Sequence, residues 1–305
     1  MLTEQFAQAI EATGLVAPDA ICADGALHRF SATGRTTDKT GWYCLFGDGV
    51  PAGVFGCWRT GLTETWCAKP QLQLNVQERA ELRQRVQQAK AQRDQEQARR
   101  QQAAQQTAIE RWNAAWLTVW HPYCKAKAIP PYGLRTEPDC SLLAPMKDVD
   151  GTLHSLQTIA PDGSKRFLAG GRVRGCFHAI GTLGKALVIC EGVATGHSIH
   201  EATGLPVACA FSAGNLAPVV HALCQRYPHL QLLIAADDDH ATEGNPGLTA
   251  AHAAALAVGG AVVVPQFPAD RPRKATDFND LFSLAGAGAV RACFAEVLEG
   301  LHDGL

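Results

Sequence analysis

Acidic residues follow two apolar runs of the sequence, at the point where each run ends. One run ends immediately before Glu191, and another ends immediately before Asp237. Alternate residues of an extended chain face the same side, so Asp237 and Asp239 can point together while Asp238 points away. Carboxylates that meet at one point repel one another unless a divalent cation neutralises them. Oxygen ligands favour Mg²⁺ or Mn²⁺ over zinc, so the sequence predicts a catalytic metal site at Glu191, Asp237 and Asp239.

A later acidic residue, Asp277, could join this site. It follows the last predicted strand of the chain, so it can reach the same edge, where it could bind a second metal ion. Aspartate is also a favoured helix N-cap, and Asp277 could equally begin the helix near Phe278. Lys274 precedes it and is a candidate contact for nucleotide or DNA.

A basic stretch lies ahead of the acidic residues. Its cations stand among glycines, at Lys165, Arg166, Arg172 and Arg174. Guanidinium and ammonium groups there would hold a DNA backbone or a nucleoside triphosphate. A solvated basic hairpin is the alternative interpretation.

A turn of small residues opens a predicted helix after residue 211. It contains Ser212, Gly214 and Asn215, which we consider candidates for nucleotide binding. Free backbone N–H groups at a helix start can cradle a phosphate, although a plain strand-to-helix turn explains the segment equally well.

The elements that must position these residues lie mainly in residues 184–299. Short apolar runs alternate there with alanine-rich helical segments, a pattern typical of βαβ units with a parallel sheet covered on both faces. Ligands of such open sheets bind at the carboxyl ends of the strands. The acidic residues stand where this rule predicts a site.

Composition divides the chain into four predicted regions. Trp, Tyr and Phe alternate with glycine turns at the start, which predicts a small β-rich module. Its aromatics, with Arg29, Lys39 and Arg59, could stack the bases of a single-stranded nucleic acid or form a core. A Gln- and Arg-rich stretch without Gly or Pro predicts a long helix, and short strands follow it. The predicted bounds are a β-rich module at 1–74, a helical linker at 75–110, an α+β subdomain with the basic segment at 111–183 and a catalytic α/β domain at 184–305.

Composition also excludes several classes of protein. No apolar run approaches the ~20 residues that span a bilayer, and residues 1–10 lack the features of a signal peptide, so we expect a cytoplasmic protein without membrane contact. The 11 cysteines include no CxxC pair. His28, Cys44, Cys57 and Cys67 are too widely spaced for an ordinary zinc site, and we expect no zinc.

The ordered set of motifs resembles a known family. Glu-Gly after a first strand and Asp-x-Asp after a third resemble the TOPRIM signature shared by primases, topoisomerases and some nucleases. Beyond that core, the chain is similar to the TOPRIM primases of plasmids, phages and other mobile elements. The resembling segments are 121–123, 133–135, 156–157, 165–168, 188–192, 211–216, 235–239 and 276–281, within roughly residues 110–285.

This resemblance implies a fold and an activity. The fold would be a TOPRIM Rossmann-like parallel sheet, and the activity would be synthesis of short RNA primers on single-stranded DNA by two-metal nucleotidyl transfer. The partners would be the DNA template, NTPs and a separate replicative helicase, because the sequence has no P-loop GxxxxGK[ST] motif. A metal-dependent TOPRIM nuclease and a non-catalytic DNA-binding replication adaptor are the alternatives. A topoisomerase is not favoured, because none of the 4 tyrosines stands out as catalytic.

Overall fold

The computed structural model describes residues 2–302, apart from the side chains of Gln71 and of residues 296–302. The chain divides into two compact units, Met1–Arg99 and Arg100–Leu305. The finer boundaries predicted at 74, 110 and 183 remain predictions.

The first unit contains one helix and a four-stranded antiparallel sheet in the order β1-β2-β3-β4. Its elements are α1 (Leu2–Glu11), β1 (His28–Phe30), β2 (Gly41–Phe46), β3 (Ala52–Cys57) and β4 (Leu62–Cys67). Phe6 of α1 packs edge-to-face on Phe55 of β3, with ring centroids 5.6 Å apart. Gly56 must lack a side chain, because an added Cβ would lie 2.1 Å from the Leu62 carbonyl oxygen of the neighbouring strand. The predicted β-rich module is confirmed.

A long helix, α2 (Val76–Ala114), follows a short 3₁₀ helix at Gln71–Gln73. Its start is fixed by a reciprocal capping box. The Glu78 backbone N–H donates to the Asn75 side chain at 2.9 Å, and the Asn75 N–H donates to the Glu78 carboxylate at 2.7 Å. The predicted long helix is confirmed, and the division between the two compact units falls within it.

After the end of α2, the second unit continues with an antiparallel sheet in the order β5-β6-β7-β8-β9 and one short helix. Its elements are β5 (Trp116–Leu117), α3 (Pro122–Ala126), β6 (Arg135–Thr136), β7 (Leu142–Lys147), β8 (Leu153–Ile159) and β9 (Lys165–Phe167). Leu142, Leu143 and Leu156 of the central strands are fully buried, and removing these apolar side chains from water stabilises the sheet.

The catalytic-domain candidate has a second five-stranded sheet, in the order β10-β12-β11-β13-β14. Its elements are β10 (His178–Ile180), β11 (Ala186–Cys190), α4 (Val193–Thr203), β12 (Val207–Cys209), α5 (Ala213–Arg226), β13 (Gln231–Ala235), α6 (Pro246–Leu256), β14 (Ala261–Val263) and α7 (Phe278–His302). Strand β10 is antiparallel to β12, and the other pairs are parallel.

Separate hydrophobic cores cover the two faces of this sheet. One core contains Ile199 of α4 and Phe294 of α7, and the other contains Val219 of α5 and Ala254 of α6. This layered arrangement explains the apolar character of the strands and confirms the predicted α/β fold with a parallel sheet. Among residues 2–302, no helix is both long and apolar enough to cross a membrane.

Candidate active site

Strands β11 and β13 are neighbours in the sheet and run in parallel. Ile189 pairs with Ile234, so Glu191 and Asp237 leave the sheet at the same carboxyl edge. The segment after each strand is held by main-chain hydrogen bonds, from Phe211 to the Glu191 carbonyl at 2.7 Å and from Ala236 to the Val263 carbonyl at 2.9 Å. The alternation of strands and helices in the sequence thus places the two acidic segments side by side.

The environment of Asp237 is unfavourable for a negative charge on its carboxylate. Burial raises its pKa to about 8, and repulsion by Asp277, Glu191 and Asp239 acts in the same direction. Its Oδ1 atom is buried, and no described residue donates a hydrogen bond to it. A buried carboxylate oxygen without a partner is costly, and a bound cation would remove that cost.

Glu191 has a related environment. Burial raises its pKa to about 7, with a further contribution from the negative charge of Asp239. The backbone N–H of Ala213, at the start of α5, partly opposes this rise in pKa. The small-residue turn after β12 therefore faces Glu191.

Asp239 contacts the start of helix α6. Its Oδ2 atom accepts a hydrogen bond from the Gly247 N–H at 3.1 Å. A Cβ at position 247 would lie 2.6 Å from the Asp237 carbonyl oxygen, so this close approach requires glycine. Gly247 has no sequence pattern that links it to the acidic residues, and its only local signal is the Asn-Pro-Gly turn at the helix start.

Asp277 is held at the start of α7, next to the other acids. Its Oδ1 atom accepts from the Asp280 N–H at 2.8 Å, and its Oδ2 atom accepts from the Thr195 hydroxyl at 3.0 Å. The first of these bonds is that of a helix cap. Burial and repulsion by Asp280 raise the pKa of Asp277. Capping and proximity to Asp237 coexist, and metal binding by Asp277 remains a prediction.

Asp238 is bound elsewhere. Its carboxylate accepts from Arg271 at 2.5 Å and from the Asn245 amide at 2.7 Å. Burial alone would raise the pKa of Asp238, but the bonds from Arg271 and Asn245 hold it below its usual range. Asp238 thus forms an ion pair with Arg271. Among the described residues, no cationic side chain forms an ion pair with Asp237 or Asp239.

Lys165 is a basic residue whose charge is coupled to the acids. Its ammonium lies 5.5 Å from the centre of the Tyr123 ring. Partial desolvation and repulsion by Lys127 lower its pKa, while the charges of Asp277 and Asp237 oppose that change. Lys127 was missed in the sequence, because it lies on the short connection after α3 with no pattern linking it to the acidic segments.

The other predicted basic residues have varied surroundings. Arg166, Arg174 and Lys274 are exposed. Arg172 is half-buried in a cluster on the antiparallel sheet, where it contacts His154 at 3.3 Å and Asp148 at 3.7 Å. Their predicted roles in binding nucleotide or DNA remain predictions.

The three candidate residues in the turn before α5 have different surroundings. Ser212 is the N-cap, in an extended conformation and without a side-chain capping bond, and Gly214 is exposed. Asn215 is buried, and its amide donates to the carbonyls of Cys176 at 2.9 Å and Ala210 at 2.8 Å while accepting from Gly175 at 2.8 Å. The Asn215 side chain therefore holds the fold together, and its role in nucleotide binding remains a prediction.

The charge of the four carboxylates suits a bound cation, but their present arrangement is not that of a formed metal site. Within residues 2–302, no group of three or more His, Cys, Asp or Glu side chains is arranged to hold a metal ion. Asp277, Glu191 and Asp239 are nevertheless close enough to Asp237 to raise its pKa, and Asp237 has a buried oxygen without a partner among the described residues. The donor set consists of carboxylate oxygens, which suit a divalent cation such as Mg²⁺ or Mn²⁺.

Sequence comparison defines the class of this domain. Residues 186–288 match the Toprim domain family, and this region therefore forms a Toprim domain. The span contains the parallel strands from β11 to β14 and every acidic residue proposed as a ligand. The TOPRIM resemblance predicted from the sequence motifs is confirmed.

The chain is also similar to particular primases. It is 35% identical over 280 residues to a DNA primase TraC from Escherichia coli, in a match covering 87% of this chain and 26% of that protein. A second DNA primase TraC from Escherichia coli is 36% identical over 282 residues, covering 87% of this chain and 19% of that protein. The chain therefore spans about a quarter or less of the length of these relatives.

Solved primase structures superpose only loosely. The DnaG primase catalytic domain bound to ssDNA gives a TM-score of 0.45 at 13% identity, over 65% of this chain and 80% of that chain. The Aquifex aeolicus primase with its zinc-binding and RNA polymerase domains gives 0.44 at 10% identity, over 97% of this chain and 84% of that one.

Proposed function

We propose that this chain is a DNA primase that synthesises short RNA primers on single-stranded DNA by two-metal nucleotidyl transfer, in plasmid or phage replication. The observation that carries the proposal is the convergence of Glu191, Asp237, Asp239 and Asp277 at one edge of a Toprim sheet. The similarity to relatives named DNA primase over 87% of the chain supports the choice of reaction.

Asp237, Asp239 and Asp277 would hold Mg²⁺ or Mn²⁺, with Glu191 either as a further ligand or as the group that accepts the proton of the primer 3′-hydroxyl. Bound metal ions would supply charge neutralisation for the triphosphate and activation of the attacking hydroxyl. The buried Oδ1 of Asp237 supports the assignment, because it lacks a donor among the described residues.

The basic residues would position the phosphates. Lys165 and Lys127 are coupled in charge to the acidic group, so their ammonium groups would bind the incoming triphosphate. The exposed Arg166, Arg174 and Lys274 would contact the template backbone. A replicative helicase would be a further partner.

Primer synthesis in vitro tests the proposal. The full chain is incubated with single-stranded DNA, labelled NTPs and Mg²⁺ or Mn²⁺, beside Asp237→Ala, Asp239→Ala and the exposed control Glu243→Ala. We expect labelled oligomers from the wild type and from the control, and a loss of at least about 100-fold in both aspartate variants, since metal ions supply several kcal/mol of transition-state stabilisation. Shortened DNA would indicate a nuclease, and DNA binding without either product would indicate an adaptor. Either result would overturn the proposal.

A further inference from the structure

Two irregular segments carry the acidic residues of the site. Asp237 and Asp239 lie between β13 and α6, and Asp277 lies between β14 and α7. Local backbone bonds, such as that from the Leu281 N–H to the Asp277 carbonyl at 3.0 Å, hold each segment but do not join one segment to the other. The spacing of the carboxylates therefore depends on contacts that join one segment to the other.

Arg271 makes those contacts. Its Nη1 donates to the Asp238 carboxylate at 2.5 Å, and its Nη2 donates to the Asp238 carbonyl at 2.8 Å. Its Nε donates to the Ala275 carbonyl at 2.8 Å, within its own segment. The Asp238 N–H donates to the Thr276 carbonyl at 2.8 Å. One guanidinium thus connects the residue beside Asp237 and Asp239 to the residues just before Asp277.

The connection is rigid for physical reasons. The Arg271 guanidinium lies 4.1 Å from the centre of the Phe267 ring, which restricts its plane. The Arg271 and Asp238 side chains are only 17% and 18% exposed, so water screens their attraction weakly. The planar guanidinium also fixes the angles between its hydrogen bonds, which an ammonium group could not do.

Asp238 extends the connection to helix α6. Its second carboxylate oxygen accepts from the Asn245 amide at 2.7 Å, and Asn245 caps α6 through the Leu248 N–H at 3.4 Å. The same helix start supplies the Gly247 N–H that binds Asp239. Asp238 therefore influences the position of Asp239 by two routes, through the backbone and through α6.

We propose that Asp238 and Arg271 are positioning residues, a paired lock that holds Asp237 and Asp239 at a fixed spacing from Asp277 so that the carboxylates can share divalent cations. The pairing also prevents Arg271 from competing with a metal ion for Asp237 and Asp239, because its guanidinium is already bound to Asp238. Metal affinity tests this lock directly, and only the catalytic measurement rests on the proposed primase function.

The experiment is isothermal titration of the full chain with Mn²⁺ alone. The variants are Arg271→Ala, Arg271→Lys, Asp238→Ala, Asp238→Asn and the double variant Asp238→Ala/Arg271→Ala. The controls are the exposed neighbours Arg273→Ala and Glu243→Ala. We expect each lock variant to weaken Mn²⁺ binding by about 10- to 100-fold, the range found when groups that support metal ligands are removed. The controls should bind as the wild type does.

Coupling between the two residues supplies a second criterion. Because both act through one contact, the double variant should lose no more affinity than the worse single variant. In primer synthesis, kcat should fall while KM for NTPs stays near the wild-type value. Circular dichroism in EDTA checks folding, and the conservative Lys and Asn variants carry the test if the alanine variants do not fold.

Other results would overturn the lock. Wild-type Mn²⁺ affinity in the folded Arg271 and Asp238 variants would do so, as would effects that simply add in the double variant. No Mn²⁺ binding by the wild type would overturn both the lock and the metal site. Mn²⁺ binding that depends on the lock, without any primer synthesis, would leave the lock standing and reject the primase proposal.

Discussion

Three consecutive aspartates at the end of β13 have three different environments. Asp237 is half-buried and has a buried oxygen that no described residue satisfies, Asp238 is paired with Arg271, and Asp239 accepts from the start of α6. Strand alternation predicts only that the outer two share a side. It also suggests that Asp238 could be replaced freely, whereas its contacts in the structure indicate a cost.

The stability of the metal-free protein separates these roles. Because the pKa of Asp237 is raised to about 8, the folded protein must either bind a proton at this carboxyl or hold its charge against repulsion, whereas Asp237→Asn is neutral at any pH. In EDTA at pH 8 we therefore expect Asp237→Asn to raise the free energy of unfolding by at least about 1 kcal/mol, since one unit of pKa shift corresponds to ~1.4 kcal/mol. Asp238→Asn, which weakens an ion pair, should lower it. Urea denaturation measures both, and Mn²⁺ should stabilise the wild type but not Asp237→Asn. A destabilised Asp237→Asn protein would contradict the view that this carboxylate is strained.

The basic residues near the acids can be tested by salt dependence. Lys165→Ala with Arg166→Ala should weaken binding of single-stranded DNA and reduce the slope of log K against log salt by about 0.7 for each phosphate that is no longer neutralised. Fluorescence anisotropy at several salt concentrations gives the slope. Lys185→Ala, an exposed lysine at the amino end of β11, is the matched control and should leave it unchanged. An unchanged slope in the double variant would mean that this stretch is a solvated hairpin.

At the scale of elements, short polar loops are held by single buried side chains. Asp38 lies in the loop between β1 and β2 and is 3% exposed. Burial would raise its pKa, but hydrogen bonds from Thr40 and Thr33, with the charge of Arg59, lower it to about 2. Asn215 acts similarly in the second unit, where it joins the turn before β10 to the end of β12.

The low pKa of Asp38 predicts a loss of stability in acid. An unfolded Asp has a pKa near 3.9, so between about pH 4 and pH 2 the unfolded state binds more protons than the folded state. The contribution of Asp38, about 2 kcal/mol, is therefore present above pH 4 and is lost as the pH falls to about 2. Urea unfolding of the wild type and of Asp38→Asn across this range should converge at low pH. A difference that is constant with pH would show that ionisation of Asp38 does not stabilise the loop.

At the scale of the whole molecule, the chain has two compact units with different contents. The first unit holds the aromatic β-rich module, and every predicted metal ligand lies in the second. The boundary lies within α2, whose buried Ala104 and Ala108 fall on the side of the second unit.

This division predicts the behaviour of fragments. Residues 100–305 should fold and bind Mn²⁺ with the affinity of the full chain, because all the carboxylates and their hydrogen-bond partners are included. Residues 1–99 should fold without binding Mn²⁺. Calorimetric titration of both fragments provides the measurement. Mn²⁺ binding confined to the first fragment would contradict the assignment of the metal site to the second unit.

The sequence by itself determined the features that depend on residues close together in the chain. Alternating apolar runs and alanine-rich segments specified a parallel sheet, because strand and helix periodicities are local properties. The end of each run placed Glu191 and Asp237 at the carboxyl edge of the sheet. Only the tertiary structure decided that β11 and β13 are neighbours. Tertiary structure alone decided which partners these residues have.

Arg271 meets Asp238 across 33 positions of sequence, and Asn215 meets Gly175 across 40. Lys127 and Lys165 likewise approach each other and Asp277 only in the folded chain. Local periodicity reports neighbours within one element, whereas a hydrogen bond between loops depends on how the elements pack. For that reason the acidic residues could be found from sequence, and the side chains that hold them in place could not.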